Sequence, residues 1–416
     1  MDIAGDLNTP VIVGKGQVTA MSYVGYIADD EDVVEVAEAF AQELRTRASE
    51  FEEQGYVSQD LADRLAELGL FRLCNPKNYG GPGRSPLDYG RLVEALARYD
   101  GSTAWIVFIG ITSALSACKL APEKVTELLV DPRTITAGVF APMGRAVACR
   151  ENGESGFRLS GQWQWGSGSR NSGFILGGGL LVDDAGELVK LANGGPDLRS
   201  FVMPIEEVEL LDTWQVAGLK GTGSTDFRVQ DVFVPESRTS IPFAITDRSD
   251  PIHSFPLFAS LGIGIGAMAL GLASACMEEF LSMAKEKTPQ GSTRSLAMKP
   301  ATHRRVALAT AQLRSARLYF YDAIENAWDI TCRTNEPTVE ARTDVRLATT
   351  HAVNASVEII DSLYTLAGGT SVYLRSPIQR HFRDVHVATQ HMMVNEATLE
   401  LVGRIQLGLE TNVSQL

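Results

Sequence analysis

The sequence predicts a mainly α-helical protein in which a small antiparallel β-domain, a barrel or sandwich, separates an N-terminal helical domain from a C-terminal four-helix bundle. Three observations carry this. Apolar residues recur at three- and four-residue intervals as far as about residue 120. Short β-branched runs broken by turn residues replace them between 134 and 235. Long helical periods return after Pro256 and persist. The boundaries read as a flexible N-terminal segment at 1–30, a helical domain at 31–133, a β-domain at 134–245 and the bundle at 246–416.

Each element has a local reason. Residues 1–30 hold Gly5, Pro10, Gly14 and Gly16 and no sustained period, so order is not expected there. From Asp30, Val33, Val36, Ala37, Phe40 and Leu44 make one helical face. Ser58 begins a helix through Leu61, Leu65 and Leu68, and Gly69 closes it as a C-cap glycine. Pro86 to Tyr99 and the almost wholly apolar Ser102 to Leu120 complete the first domain. Strands are expected at Ile135–Val139, Phe157–Ser160, Phe174–Leu176, Phe201–Met203 and Phe227–Val234, with loops at Asp183–Gly186 and Gly194–Asp197. Trp163 and Trp165 share a parity, which places both on one side of a strand. The bundle helices are expected at 257–287, 300–333, 338–366 and 377–409, broken by Pro289-Gln290-Gly291, Asn335-Glu336-Pro337 and Gly368-Gly369.

Composition excludes several classes of function. The 416 residues carry a net charge of −14 and no basic run, which argues against a nucleic-acid partner. Five scattered cysteines without a CxxC point to reduced, buried thiols and a cytoplasmic protein. Met1 to Glu31 is acidic and does not read as a signal peptide. The uncharged stretch Leu257–Cys276 is glycine-rich and lacks flanking cations, so a buried core helix is expected rather than a membrane span. Gly264-Ile265-Gly266-Ala267-Met268-Ala269 matches a loose dinucleotide fingerprint, but no strand precedes it; it is expected to serve tight helix packing. No nicotinamide site is therefore expected. His381, His386 and His391 recur every five residues, turning about 140° each time on a helix, a spacing that does not favour a metal. Gly166-Ser167-Gly168-Ser169-Arg170 fails the GxSxG pattern of a hydrolase elbow at its last place.

Three motifs agree in order and spacing. They are Tyr79-Gly80-Gly81 with Asp100-Gly101-Ser102-Thr103-Ala104-Trp105; Gly161 to Gly168 with Trp214 and Gly218 to Ser224; and Ala367-Gly368-Gly369 with Ser376 to Arg380 and Arg383-Asp384. Together, over about residues 35–410, they resemble the flavin-dependent monooxygenases of the acyl-CoA dehydrogenase fold, the oxygenase components of two-component hydroxylases and N-hydroxylases. The segment Arg383 to Met392 resembles the site helix of acyl-CoA dehydrogenases, with Met392 where that family commonly carries its glutamate base. A thioether takes no proton, and losing a positioned base costs roughly 10²–10⁴-fold in rate.

The resemblance implies that reduced FMN or FAD, supplied by a separate reductase, reacts with O2 to form a C4a-hydroperoxide that oxygenates a small aromatic substrate. Trp165 is then expected against the flavin ring and the Ser167 hydroxyl at flavin N5, with water kept out. Gly368 and Gly369 resemble the turn that approaches the cofactor, often from a neighbouring subunit, and Arg294 a phosphate-binding cation. Thr365 stands where dehydrogenases usually carry glutamine, which leaves FMN and FAD both open. His391 and Ser167 are the expected catalytic residues, His391 as a base with an ordinary pKa near 6.5. Trp105, Thr112 and Met392 are expected to line the substrate pocket. No histidine precedes His253, so a polar role in the first domain falls to Thr112, Ser113 or Ser116. Arg380, Arg383 and Asp384 are expected in structural ion pairs, and a homotetramer follows from the resemblance. The alternatives are a dehydrogenase-type flavin enzyme with a relocated base, or an N-oxygenase acting on an amino group.

Overall fold

The computed structural model describes residues 26–192, 194–242, 244–245 and 247–416; most of the segment expected to be flexible lies outside the described residues. Among the described residues six α-helices come first: α1 (Val33–Ala39), α2 (Ala41–Gln54), α3 (Gln59–Glu67), α4 (Pro86–Ala97), α5 (Gly101–Ala117) and α6 (Pro122–Leu128). The starts of α4 and α5 follow capping chemistry. Ser85 and Asp88 form a reciprocal capping box with Pro86 in the first turn of α4. The Asp100 carboxylate accepts from Thr103 N at 2.7 Å and opens α5. Gly69, at φ 75°, follows α3 as the sequence predicts.

Seven strands form one sheet: β1 (Thr136–Glu151), β2 (Glu154–Gly166), β3 (Phe174–Val182), β4 (Leu198–Pro204), β5 (Glu209–Leu210), β6 (Thr225–Pro235) and β7 (Thr239–Ser240). Their order is β5-β6-β2-β1-β3-β4-β7. Four of the five expected strand runs fall within β2, β3, β4 and β6, and the first, Ile135–Val139, overlaps β1 from Thr136 on. The sheet is mixed rather than purely antiparallel, because β1 and β3 run parallel, with Thr136 opposite Phe174. β2 returns antiparallel to the end where β1 begins, and the short link after it leaves β3 to start there too.

Helix resumes with α7 (Leu257–Glu286), α8 (Pro300–Thr334) and α9 (Val339–Ala367), close to the expected spans. The fourth expected helix, 377–409, is two: α10 (Pro377–Ala388) and α11 (Glu396–Gln406). The break holds because side chains compete for its backbone. His391 Nδ1 accepts from Met393 N at 3.2 Å, and Thr398 Oγ1 reaches Met393 O at 3.3 Å. His391 and Met392 therefore lie on a loop, so the five-residue histidine spacing has no helical meaning at its last step.

One continuous apolar core joins the first five helices to α7, α8, α9 and α10. The apolar α7 lies in it. A Cβ on Gly264 would meet Tyr89 Oη at 2.3 Å and Phe108 at 2.5 Å, and one on Gly266 would meet Phe320 at 2.7 Å. The glycine run thus serves close helix packing. Cys74, Cys118 and Cys276 are buried, Cys149 is half-buried and Cys332 is exposed, which corrects the expectation that all five are enclosed. The Cys332 side chain sits on the outer part of α8 near the bundle end.

Candidate active site

The end of β2 departs from the alternation that the two tryptophans predicted. Trp163 pairs with Phe227 and Gly166 with Thr225, so β2 holds one residue more than β6 between these points, a bulge. Trp163 turns into the sheet core, stacks on Phe227 at 4.9 Å and donates to Gly178 O at 2.7 Å. Trp165 sits in the bulge at φ 66° and is 64% exposed. The left-handed backbone costs about 1–2 kcal/mol for a residue with a Cβ. It removes the shared face expected from parity and leaves a large aromatic surface open to a ligand.

Immediately beyond it, Ser167 Oγ accepts from Trp105 Nε1 at 3.0 Å and lies 2.6 Å from Ser224 Oγ. Ser224 Oγ is 2.6 Å from Thr222 Oγ1, which donates to Leu219 O at 2.8 Å. The loop bearing these groups is clamped from α10: Leu219 N donates to Asp384 Oδ1 at 2.6 Å, and Arg383 donates to Ala217 O at 2.6 Å. Arg380 and Arg383 pair with Glu52 of α2 at 3.1 and 2.7 Å. Burial pushes the Asp384 carboxyl up to about 7, opposed by the Leu219 hydrogen bond. The two arginines form the ion pairs that the sequence predicts, whereas Asp384 has none among the described residues and holds the loop through a backbone N–H instead.

The Trp105 ring lies 4.8 Å from Phe108 and 6.0 Å from His391, edge-on to each. Burial, then the nearby Arg346 charge, pulls the His391 pKa down to about 4. This corrects the expected base near 6.5: at neutral pH the ring is uncharged and a poor proton acceptor. Because Nδ1 accepts from Met393 N, the neutral ring carries its proton on Nε2. His391 is thus a hydrogen-bond donor. Arg346 of α9 is 2% exposed and has no carboxylate within ion-pair distance among the described residues. Its partners are Met393 Sδ at 3.2 Å and Thr398 Oγ1 at 3.1 Å, its Nε has none, and burial lowers its pKa to about 10.

The structure therefore brings Trp105, Trp165, Ser167 and His391 to one place, with Met392 beside them and 54% exposed. Thr112 is fully buried and its hydroxyl bonds to Phe108 O and Ile109 O, so it is not presented to a ligand. Ser116 likewise bonds to Thr112 O. Of the three first-domain hydroxyls, only the buried Ser113 Oγ lacks a partner.

Arg294, Gly368 and Gly369 lie at a second location. There Lys287, after the end of α7, reaches Ala367 O and bonds to Thr370 Oγ1 at 2.6 Å. Arg294 is exposed on the loop that follows, and a cleft of about 230 Å³ opens between Met283, Thr370 and Arg375. Gly264 packs on Phe108 beside the first location, and Lys287 stands twenty-three residues further along α7, about 35 Å at 1.5 Å per residue. One chain does not bring the two groups onto a single flavin mononucleotide. Sequence reasoning quoted Thr222 and Ser224 within a motif but gave them no role, and it missed Arg346, which no local pattern marks.

This geometry fits a flavin: an open indole face, a buried hydroxyl chain at its edge, and cations at the second location. Residues 28–121 match the family profile described as acyl-CoA dehydrogenase, N-terminal domain, and residues 263–396 that of the C-terminal domain. The chain belongs to the acyl-CoA dehydrogenase family. Within it, the chain is a flavin-dependent monooxygenase of the oxygenase-component type. It is 31% identical to indole-3-acetate monooxygenase from Acinetobacter baumannii, over 94% of this chain and 97% of that one. It is 26% identical to the oxygenase subunit HsaA of a flavin-dependent monooxygenase from Mycobacterium tuberculosis, over 92% and 96%. The crystal structure of 3-HSA hydroxylase from Rhodococcus sp. RHA1 superposes with a TM-score of 0.82 at 25% identity, covering 93% of this chain and 100% of the other.

Proposed function

We propose that this chain takes reduced FMN or FAD from a separate reductase and, with O2, inserts one oxygen atom into a small aromatic substrate. When bound, the flavin supplies two electrons and the centre at which dioxygen is activated. Trp165 offers its exposed face to the ring, and Ser167 Oγ accepts from the N5 proton and holds it in place. Trp105 and Phe108 wall the substrate side and keep water away. His391 donates from Nε2 to the substrate and orients it. The buried Arg346 charge favours a substrate with an anionic group beside His391, since an uncompensated guanidinium in the interior is stabilised by any anion that nears it. Indole-3-acetate and p-hydroxyphenylacetate, in the names of two relatives, are aromatic acids of this kind. Arg294, Lys287, Gly368 and Gly369 of a second copy would hold the phosphate end, so the working form is an oligomer, which the family resemblance makes a homotetramer, in the cytoplasm.

The observation that carries this reading is the union of an exposed Trp165 with the buried Ser167 hydroxyl chain, at a place where Met392 has no basic group to offer. The test is to mix the protein anaerobically with chemically reduced flavin, add oxygen, and follow the visible absorption of oxidised flavin. A lag before that absorption returns is expected. Its return as fast as for free flavin refutes the reading.

A further inference from the structure

Three oxygen-to-oxygen contacts run from Ser167 into the 218–224 loop: 2.6 Å to Ser224, 2.6 Å on to Thr222, and 2.8 Å on to Leu219 O. Oxygens this close repel unless a proton lies between them. The row holds three hydroxyl protons for three gaps, and its last member, a carbonyl, brings none. One arrangement satisfies the count. Ser167 donates to Ser224, Ser224 to Thr222, and Thr222 to Leu219. Trp105 Nε1–H fills a lone pair of Ser167 from the other side at 3.0 Å. All four side chains are buried. Ser167 has no proton left to give and one lone pair left to receive with.

We propose that Ser224 and Thr222 are positioning residues that fix Ser167 as an obligate acceptor, and that the site thereby tells reduced from oxidised flavin. The inference rests on the placement of Ser167 at flavin N5 given above. Reduced flavin carries a proton on N5 and donates it to the waiting lone pair. Oxidised flavin has a bare N5 whose own lone pair would face that of Ser167, leaving both unsatisfied. The chain so arranged retains the cofactor in the state in which a reductase delivers it and releases it once oxidised, without any movement of the backbone.

Equilibrium dialysis against oxidised FMN, and against dithionite-reduced FMN under anaerobic conditions, reads this as a ratio of two Kd values. The unaltered chain is expected to favour the reduced form. Ser224→Ala frees the Ser167 proton directly. Thr222→Val frees it one step removed, by turning the Ser224 hydroxyl back towards Ser167, and is the near-isosteric second variant should the first fold poorly. Each should lower the ratio about tenfold, the effect of one unmade buried hydrogen bond, mainly by tightening the oxidised form. Ser224→Thr, which keeps the relay, should preserve the ratio. If Ser167→Ala collapses the ratio while Ser224→Ala and Thr222→Val leave it intact, the relay is overturned and the placement of Ser167 stands. If Ser167→Ala changes neither Kd, the placement and the relay both fall.

Discussion

His391 offers the sharpest quantitative test, because its environment reverses the role that its residue type alone implies. In the folded chain burial and Arg346 hold its pKa near 4, against an ordinary value of 6.5. The folded state therefore refuses a proton that the unfolded state accepts between these values. Stability contributed by the neutral ring is complete above pH 6.5, falls as the pH drops towards 4, and is gone below it. The gap between 6.5 and about 4, at 1.36 kcal/mol per pH unit, amounts to about 3 kcal/mol. His381, buried and held near 3, acts in the same direction, so the His391 share is isolated by comparison with His391→Gln. Two assays apply: an NMR titration of histidine-labelled protein, and urea unfolding at intervals from pH 7 to 4. The His391 resonance should titrate near 4, and the substitution should flatten the pH slope of stability. A midpoint within half a pH unit of 6.5 would refute the burial argument. It would also restore the imidazole as a base, and kcat would then show an inflection near that pH.

Two further outcomes follow from packing and charge. Gly264→Ala gains helix propensity, about 1 kcal/mol, but forces a methyl group against Tyr89 Oη and Phe108, where overpacking costs about 1–3 kcal/mol; a lowered Tm in differential scanning calorimetry is expected, and an unchanged one would show that α7 is loosely seated. Arg346→Met removes the cation next to His391 without orphaning any buried carboxylate; the His391 midpoint should rise, stability should hold within about 1 kcal/mol, and KM for an acidic aromatic substrate should rise more than KM for a neutral isostere.

Much of this architecture is written in local pattern. The periods of α4, α5, α7, α8 and α9 are readable in the sequence itself, and so are Ser85 and Asp100, which open α4 and α5, and Gly69, which follows α3. What was not legible depends on contacts between distant segments. The bulge at Trp165 lies where β2 shifts its register against β6, just before Ser167 meets Trp105, and strand parity carries no trace of either contact. The break after α10 is held by Arg346 and Thr398, one of them forty-five residues upstream of His391. The hydroxyl row needs Ser167 and Ser224, fifty-seven residues apart, to meet. The lowered pKa of His391 is illegible for the same reason, since residue type gives the reference value and only enclosure gives the shift.

The Asp384 carboxylate has a mechanical consequence. It grips the 218–224 loop through Leu219, while the same helix ends at Ala388, three residues before His391. Any slight roll or slide of α10 would therefore drag the serine–threonine row and the imidazole in concert, like two keys on one shaft. The two sides of the site thus stay in register with each other.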